Sequence, residues 1–384
     1  MILIISAYLV SQQMENLPTR TLQTYETQYT GTTLGKETLP LVRSLIVQPN
    51  DGRSAILNAI QKAKQSIRVT IYALNDPDIT AALIAAHKRG VEVRVLYNFY
   101  SFAKEGVGDP NKPTVNTLAS AGVQTKRASE SFAVTHQKTI CVDDSMALVM
   151  TFNLQANYFG HTRDFGIITI DPAEVEEIAR VFEADWSDQS ITPSLPQLVW
   201  SPVNSREKIL RVINGAVKTL EVYNEELQDE ECIQALISAA KRGVTVRLIS
   251  AELMRGGRDE NAAGRQLLNK GGVQAEAGKF LYIHAKVILA DYGTDHQAAF
   301  IGSENFSTTS LDKNRELGIL VNGQAILDGL HSTFELDWSK RPSVSHEVIQ
   351  HTANDSRPRN LFSDIPPKRE AELGTTSAED TRSV

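Results

Sequence analysis

Four short runs of this chain recur in the same order roughly one domain length later. Arg89-Gly90-Val91-Glu92-Val93-Arg94 returns as Arg242-Gly243-Val244-Thr245-Val246-Arg247, and Gly122-Val123-Gln124 returns as Gly272-Val273-Gln274. His136-Gln137-Lys138 returns as His284-Ala285-Lys286, and Phe182-Glu183-Ala184-Asp185-Trp186-Ser187 as Phe334-Glu335-Leu336-Asp337-Trp338-Ser339. The offsets are 153, 150, 148 and 152 residues, nearly constant, with short insertions and deletions absorbing the drift. A repeat of that length far exceeds a solenoid unit, so each copy is a domain-sized half with its own core. With 384 residues and 41% hydrophobic content, the chain is long enough to fill two cores.

The expected organisation is a lead-in over 1–40, a first half over 41–195, a second over 196–340, and a polar, disordered tail over 341–384. A short helix is possible within that tail at 344–352. Each half reads as α/β. Helical spacing over 54–63 precedes an alternating strand at 67–72, and a helix opening at Pro77 is closed by Gly90 before a buried strand at 91–96. The second half repeats the series as helix 209–217, strand 220–223, helix 233–241 and strand 244–249. Such alternation implies sheets covered by helices on both faces.

The chemistry lies in the third repeated run. His136, Lys138 and Asp143 share the spacing of His284, Lys286 and Asp291. On expected strands at 137–142 and 285–290, a histidine two residues before a lysine puts both side chains on one face. A neutral imidazole can attack phosphorus while an ammonium holds an anionic oxygen. Two copies supply one histidine to attack and one to protonate the leaving group. Downstream, Ser303 and Asn305 precede Glu316, as Thr151 and Asn153 precede Asp164. Hydroxyls and carboxamides can hydrogen-bond phosphate oxygens.

On these residues the chain resembles the phospholipase D superfamily, in its bacterial form, over roughly 46–339. The resemblance implies two similar α/β/α sandwich halves with mixed sheets, packed about a pseudo-twofold axis, whose motifs meet in one active site. It implies a phosphodiesterase that hydrolyses phospholipid headgroups, or transfers the phosphatidyl group to an alcohol, through a phosphohistidine. His136 resembles the nucleophile and His284 the general acid. Lys138, Lys286, Asn153 and Asn305 resemble the groups that bind non-bridging oxygens, with the hydroxyls of Thr151 and Ser303 beside them. Asp164 and Glu316 resemble the carboxylates that hold each imidazole, and Asp143 and Asp291 resemble structural aspartates. One departure is that Met150-Thr151 stands where the family has glycine and serine, a bulkier approach that makes the halves unequal.

No cofactor is expected, since a protonated lysine is no ligand and the histidines lack zinc-type spacing. Cys141 and Cys232 are too few for a disulfide framework. A net charge of −7 disfavours non-specific nucleic-acid binding. It leaves a nuclease on the same scaffold, and a non-catalytic binding module, as the alternative functions. Aromatics at Phe99, Tyr100, Phe102, Tyr158, Phe159, Phe280 and Tyr282 suit an apolar rim, so the expected partner is a phospholipid at a membrane surface met peripherally, by a monomer using both halves. Residues 1–10 are apolar but too short to span a bilayer, which leaves the compartment open between cytoplasmic and secreted or periplasmic. Ion pairing is the commoner role for Arg163 and Arg315, and core packing for the repeated Phe–Trp runs.

Overall fold

The computed structural model describes residues 42–98 and 109–340, with two short segments before them. Within Met1–Val42 those segments, Thr33–Leu34 and Glu37–Thr38, pair antiparallel. The expected apolar start, the aromatics Phe99, Tyr100 and Phe102, and the tail with its helix at 344–352 lie outside the described residues. Among the described residues no helix is long and apolar enough to cross a membrane.

In the body from Arg43 onward, the first sheet is built from β1 (Arg43–Gln48), β2 (Ser66–Ile71), β3 (Glu92–Tyr97), β4 (Gln124–Arg127), β5 (Lys138–Val142), β6 (Met146–Met150) and β7 (Thr162–Thr169). The second is built from β8 (Leu198–Ser201), β9 (Thr219–Asn224), β10 (Thr245–Ser250), β11 (Gln274–Ala277), β13 (Val287–Ala290), β14 (Ala298–Gly302) and β15 (Glu316–Val321). Its order is β8-β15-β14-β13-β9-β10-β11, and the first runs β7-β6-β5-β2-β3-β4 with β1 also on β7. Both are mixed, with β2, β3 and β4 parallel and β5 antiparallel to β2, as β13 is to β9. One strand crosses over. Tyr282–Ile283 (β12) belongs to the second half of the sequence yet pairs parallel with Thr162 and Arg163 in the first sheet.

The repeated runs are explained by this framework. Gly90 and Gly243 sit just after helices α1 (Pro77–Lys88) and α2 (Glu230–Lys241) at φ +92° and +95°, the left-handed geometry that ends a helix without a Cβ penalty. Asp76 and Asp229 cap the starts of the same helices through their carboxylates. The arginine closing each Arg-Gly-Val run stacks on the aromatics of the last run. Arg94 lies over Phe182 and Trp186 at 5.3 and 5.5 Å, and Arg247 over Phe334 and Trp338 at 5.1 and 5.4 Å.

Each half has its own apolar layer, Ile56, Ile60 and Leu83 against β2 in one and Ile209, Ile213 and Leu236 against β9 in the other. A third core is shared. Val149, Phe165 and Ile167 from the first sheet pack in one cluster with Ile301, Leu317 and Ile319 from the second. Removing that apolar area from water is what joins the two sheets.

Candidate active site

Both histidines stop short of their strands. β5 begins at Lys138 and β13 at Val287, so His136, His284 and Lys286 lie in the approaches to the strands rather than on them. The reason is where their backbone groups go. The amides of His136 and Gln137 donate to the carbonyl of Arg315, and those of His284 and Ala285 donate to the carbonyl of Arg163. Arg163 is on β7 and Arg315 immediately precedes β15, so each histidine is tied to the opposite half.

The side chains follow the same exchange. His136 Nδ1 lies 2.7 Å from Glu316 Oε2, and His284 Nδ1 lies 3.0 Å from Asp164 Oδ1. With Nδ1 engaged, the Nε2 of each ring is the atom left for chemistry. All four groups are buried, as are Lys138 and Lys286. Each ammonium donates to the carbonyl of the histidine two residues earlier at 2.5 Å.

Thr151 Oγ1 donates to Asp164 Oδ1 at 2.5 Å and Ser303 Oγ receives the Leu317 amide at 3.2 Å, so both hydroxyls are engaged within the protein. Asn153 hydrogen-bonds Tyr158, whose ring meets His284 edge-on at 4.8 Å. Asn305 Nδ2 reaches Glu225 Oε2 at 3.4 Å. The carboxamide oxygens of Asn153 and Asn305 are buried and have no hydrogen-bond partner among the described residues.

Asp143 and Asp291 do not reach this centre. Asp143 accepts from the amides of Lys64, Gln65 and Ser66, and Asp291 from those of Val217, Lys218 and Thr219. Each clamps the turn before β2 or β9. Arg163 pairs with Asp337 at 2.6 Å and Arg315 with Asp185 at 2.7 Å, again across the halves. The Phe–Trp runs thus supply ion-pair partners as well as core.

Burial drives the His136 ring down to about 3, opposed by Glu316 and assisted by Lys138. Burial alone would raise Glu316, but the His136 ring, Lys138 and the Ser310 hydroxyl together outweigh it and bring the carboxyl to about 2. At neutral pH the pair is a neutral imidazole beside a carboxylate. Burial lowers Lys138 to about 7, with Lys286 adding to the effect.

Sequence reasoning missed two residues of the centre, Tyr72 and Glu225. Glu225 follows β9 where Tyr72 follows β2. Its Oε2 lies 2.8 Å from Lys286 Nζ and 3.6 Å from His284 Nε2, and its Oε1 receives the Tyr282 hydroxyl at 2.8 Å. The available signal was a carboxylate where the first repeat has an aromatic. Burial would raise Glu225, but Lys286 and His284 pull it well below the usual carboxylate range. A cluster of metal-ligand types, Glu221, His331 and Glu335, lies outside the centre. The Arg247 guanidinium bonds both of its carboxylates and gives it an ion-pair role.

A family model described as cardiolipin synthase, PLD-like domain, matches residues 56–186 and again 209–338. The cardiolipin synthase of Clostridium perfringens (strain 13 / Type A) is 24% identical over 359 residues, covering 79% of this chain and 71% of that protein. Cardiolipin synthase 1 of Bacillus anthracis is 22% identical over 354 residues, covering 77% and 66%. Among solved structures, phosphatidylserine synthase from Haemophilus influenzae Rd KW20 aligns with a TM-score of 0.61 at 12% identity, covering 78% of this chain and 86% of that one. Polyphosphate kinase from Porphyromonas gingivalis gives 0.61 at 18%, covering 82% of this chain and 53% of its own. At such identities the two structures share the fold, with two mixed α/β halves in one body.

Proposed function

This chain belongs to the cardiolipin synthase, PLD-like domain family, a family of phosphodiesterases and phosphatidyltransferases, and on that premise we propose that it cleaves phospholipid headgroups through a phosphohistidine on His136. The observation that carries the reading is the reciprocal anchoring of two buried histidines, each by a carboxylate of the opposite half.

The steps follow from the charges. His136 Nε2, neutral because burial holds the ring near 3, attacks phosphorus with its lone pair. Lys138 stabilises the charge growing on the non-bridging oxygens, the electrostatic term that usually dominates. The P–O bond to the headgroup breaks, and His284 Nε2 gives the departing oxygen a proton. A ring with a carboxylate near each nitrogen is suited to carry and return that proton. His284 then takes a proton from water or an alcohol, whose oxygen attacks phosphorus. The P–N bond breaks and His136 is released neutral. Water gives hydrolysis, and an alcohol gives phosphatidyl transfer.

The test is headgroup release from phospholipid vesicles in excess EDTA, with single-stranded DNA as the competing substrate class. His136→Ala is expected to abolish release, at least 10³-fold. With a good leaving group, His284→Ala is expected to accumulate acid-labile phosphate on His136. DNA cleavage without headgroup release would move the protein to the nuclease reading, and wild-type turnover by His136→Ala would remove the nucleophile.

A further inference from the structure

The two halves keep the same scaffold but differ in charge at the position after β2 and β9. In the first half Tyr72 meets His136 edge-on at 4.7 Å, and Lys138 Nζ lies 5.3 Å from the same ring. In the second half the equivalent residue is Glu225, buried to 8% exposure. It takes hydrogen bonds from Lys286, Tyr282 and Asn305. The ammonium of Lys286 is therefore committed to an internal anion. A phosphodiester entering between the halves meets the cation of Lys138 on one side and a neutralised pair on the other. The neutralised pair offers the non-bridging oxygens no net attraction, so they settle on the Lys138 side.

What remains on the Glu225 side is the alcohol portion of the substrate. Glu225 Oε2 stands 3.6 Å from His284 Nε2, the atom that exchanges a proton with the alcohol oxygen in the proposed reaction. An alcohol bonded to Nε2 brings a substituent on its next carbon within reach of that carboxylate. A second acceptor points the same way. A carboxylate only accepts, so its contact with Asn305 fixes Nδ2 towards Glu225. That leaves the Oδ1 of Asn305, a residue 2% exposed, as a buried acceptor with no partner among the described residues. A buried carboxylate beside the proton-transfer atom, and an unpartnered carboxamide oxygen on the residue that bonds it, suit a ligand that carries donors.

We propose that Glu225, with Asn305, selects the alcohol partner of the reaction by accepting a hydrogen bond from a second donor, hydroxyl or ammonium, next to the reacting oxygen. This inference rests on the phosphodiesterase reading and adds to it the chemistry of the headgroup. Tyr72 gives the first half no carboxylate at this position, so the charged acceptor lies on the His284 side and the attacking ring faces the phosphate.

The test is internal competition in mixed vesicles holding equal amounts of phosphatidylglycerol, phosphatidylethanolamine and phosphatidylpropanol. The glycerol arm tests a hydroxyl donor, the ethanolamine arm an ammonium, and propanol carries neither. The ratio of headgroups released reports relative kcat/KM and does not depend on how much enzyme is active. Wild-type protein is expected to favour at least one donor-bearing headgroup over propanol about tenfold, the discrimination one charge-assisted hydrogen bond gives. Glu225→Tyr, which copies the first half, is expected to bring the ratio close to one. Glu225→Gln, of the same size and still an acceptor, is expected to lose the ammonium preference and keep part of the hydroxyl preference. Should the tyrosine variant fail to fold, the glutamine variant decides. A wild-type ratio near one, or the wild-type ratio persisting in a variant that still turns over, overturns the role of Glu225. Release of none of the three by wild-type protein instead overturns the phospholipid reading beneath it.

Discussion

Lys138 and Lys286 occupy matching positions, and their surroundings have made them different reagents. Lys286 is ion-paired with Glu225, whereas Lys138 has the Tyr72 ring as its neighbour, and burial brings it to about 7. In the proposed reaction the protonated form of Lys138 holds phosphate, so raising pH through 7 removes the binding charge. kcat/KM is therefore expected to fall about tenfold per pH unit above roughly 7. His136 stays neutral down to about 3, so its protonation adds no acid limb between pH 4 and 6. Lys138→Arg, which cannot lose its proton in this range, is expected to lift the alkaline limb. An unchanged limb in that variant would sink the assignment. The types and spacing of these residues were legible in the sequence. Glu225 was not, because its meaning lies in what surrounds it, and Tyr282 and Asn305 are 57 and 80 positions away.

At the level of elements, the motif aspartates belong to the scaffold. Asp291, at φ +53°, gathers three backbone amides from the turn before β9, and Asp143 does the same before β2. Replacing Asp291 by alanine leaves those amides without their charged acceptor and puts alanine in a left-handed turn. A loss of about 2–3 kcal/mol is expected, read as a lower denaturant midpoint, with turnover per folded molecule retained. Helices and strands were largely legible from periodicity. The repeat at 54–63 became a helix over Ser54–Lys62, and the alternation at 67–72 became the strand Ser66–Ile71. The strands expected from 137 and 285 start later, at Lys138 and Val287, because pattern alone cannot show that the amides before them bond a carbonyl of the other half. The Phe–Trp runs read as core, and their stacking under Arg94 and Arg247 needed the third dimension.

Across the whole molecule, the shared core, the crossing strand β12 and the carboxylate exchange make the two halves one body. The duplication was plain in the sequence. The crosswise pairing was not, since matching Asp164 to Glu316 does not say which ring each will hold. That pairing predicts which step each carboxylate serves. Glu316→Gln, in the second half, is expected to slow formation of the covalent intermediate on His136 by 10²–10⁴-fold, on the order of losing a histidine-orienting carboxylate. Asp164→Asn, in the first half, is expected to leave formation largely intact with a good leaving group and to slow breakdown instead. Rapid-quench measurement of burst and steady state separates the two, and the reverse assignment would refute the exchange. Gene duplication ordinarily supplies a spare, one copy free to change while its twin keeps the work going. Here the spare has been used up. Because the ring at 136 leans on position 316 and the ring at 284 on position 164, a change in either copy is felt at the histidine of the other, and the two stretches answer to selection as a single target.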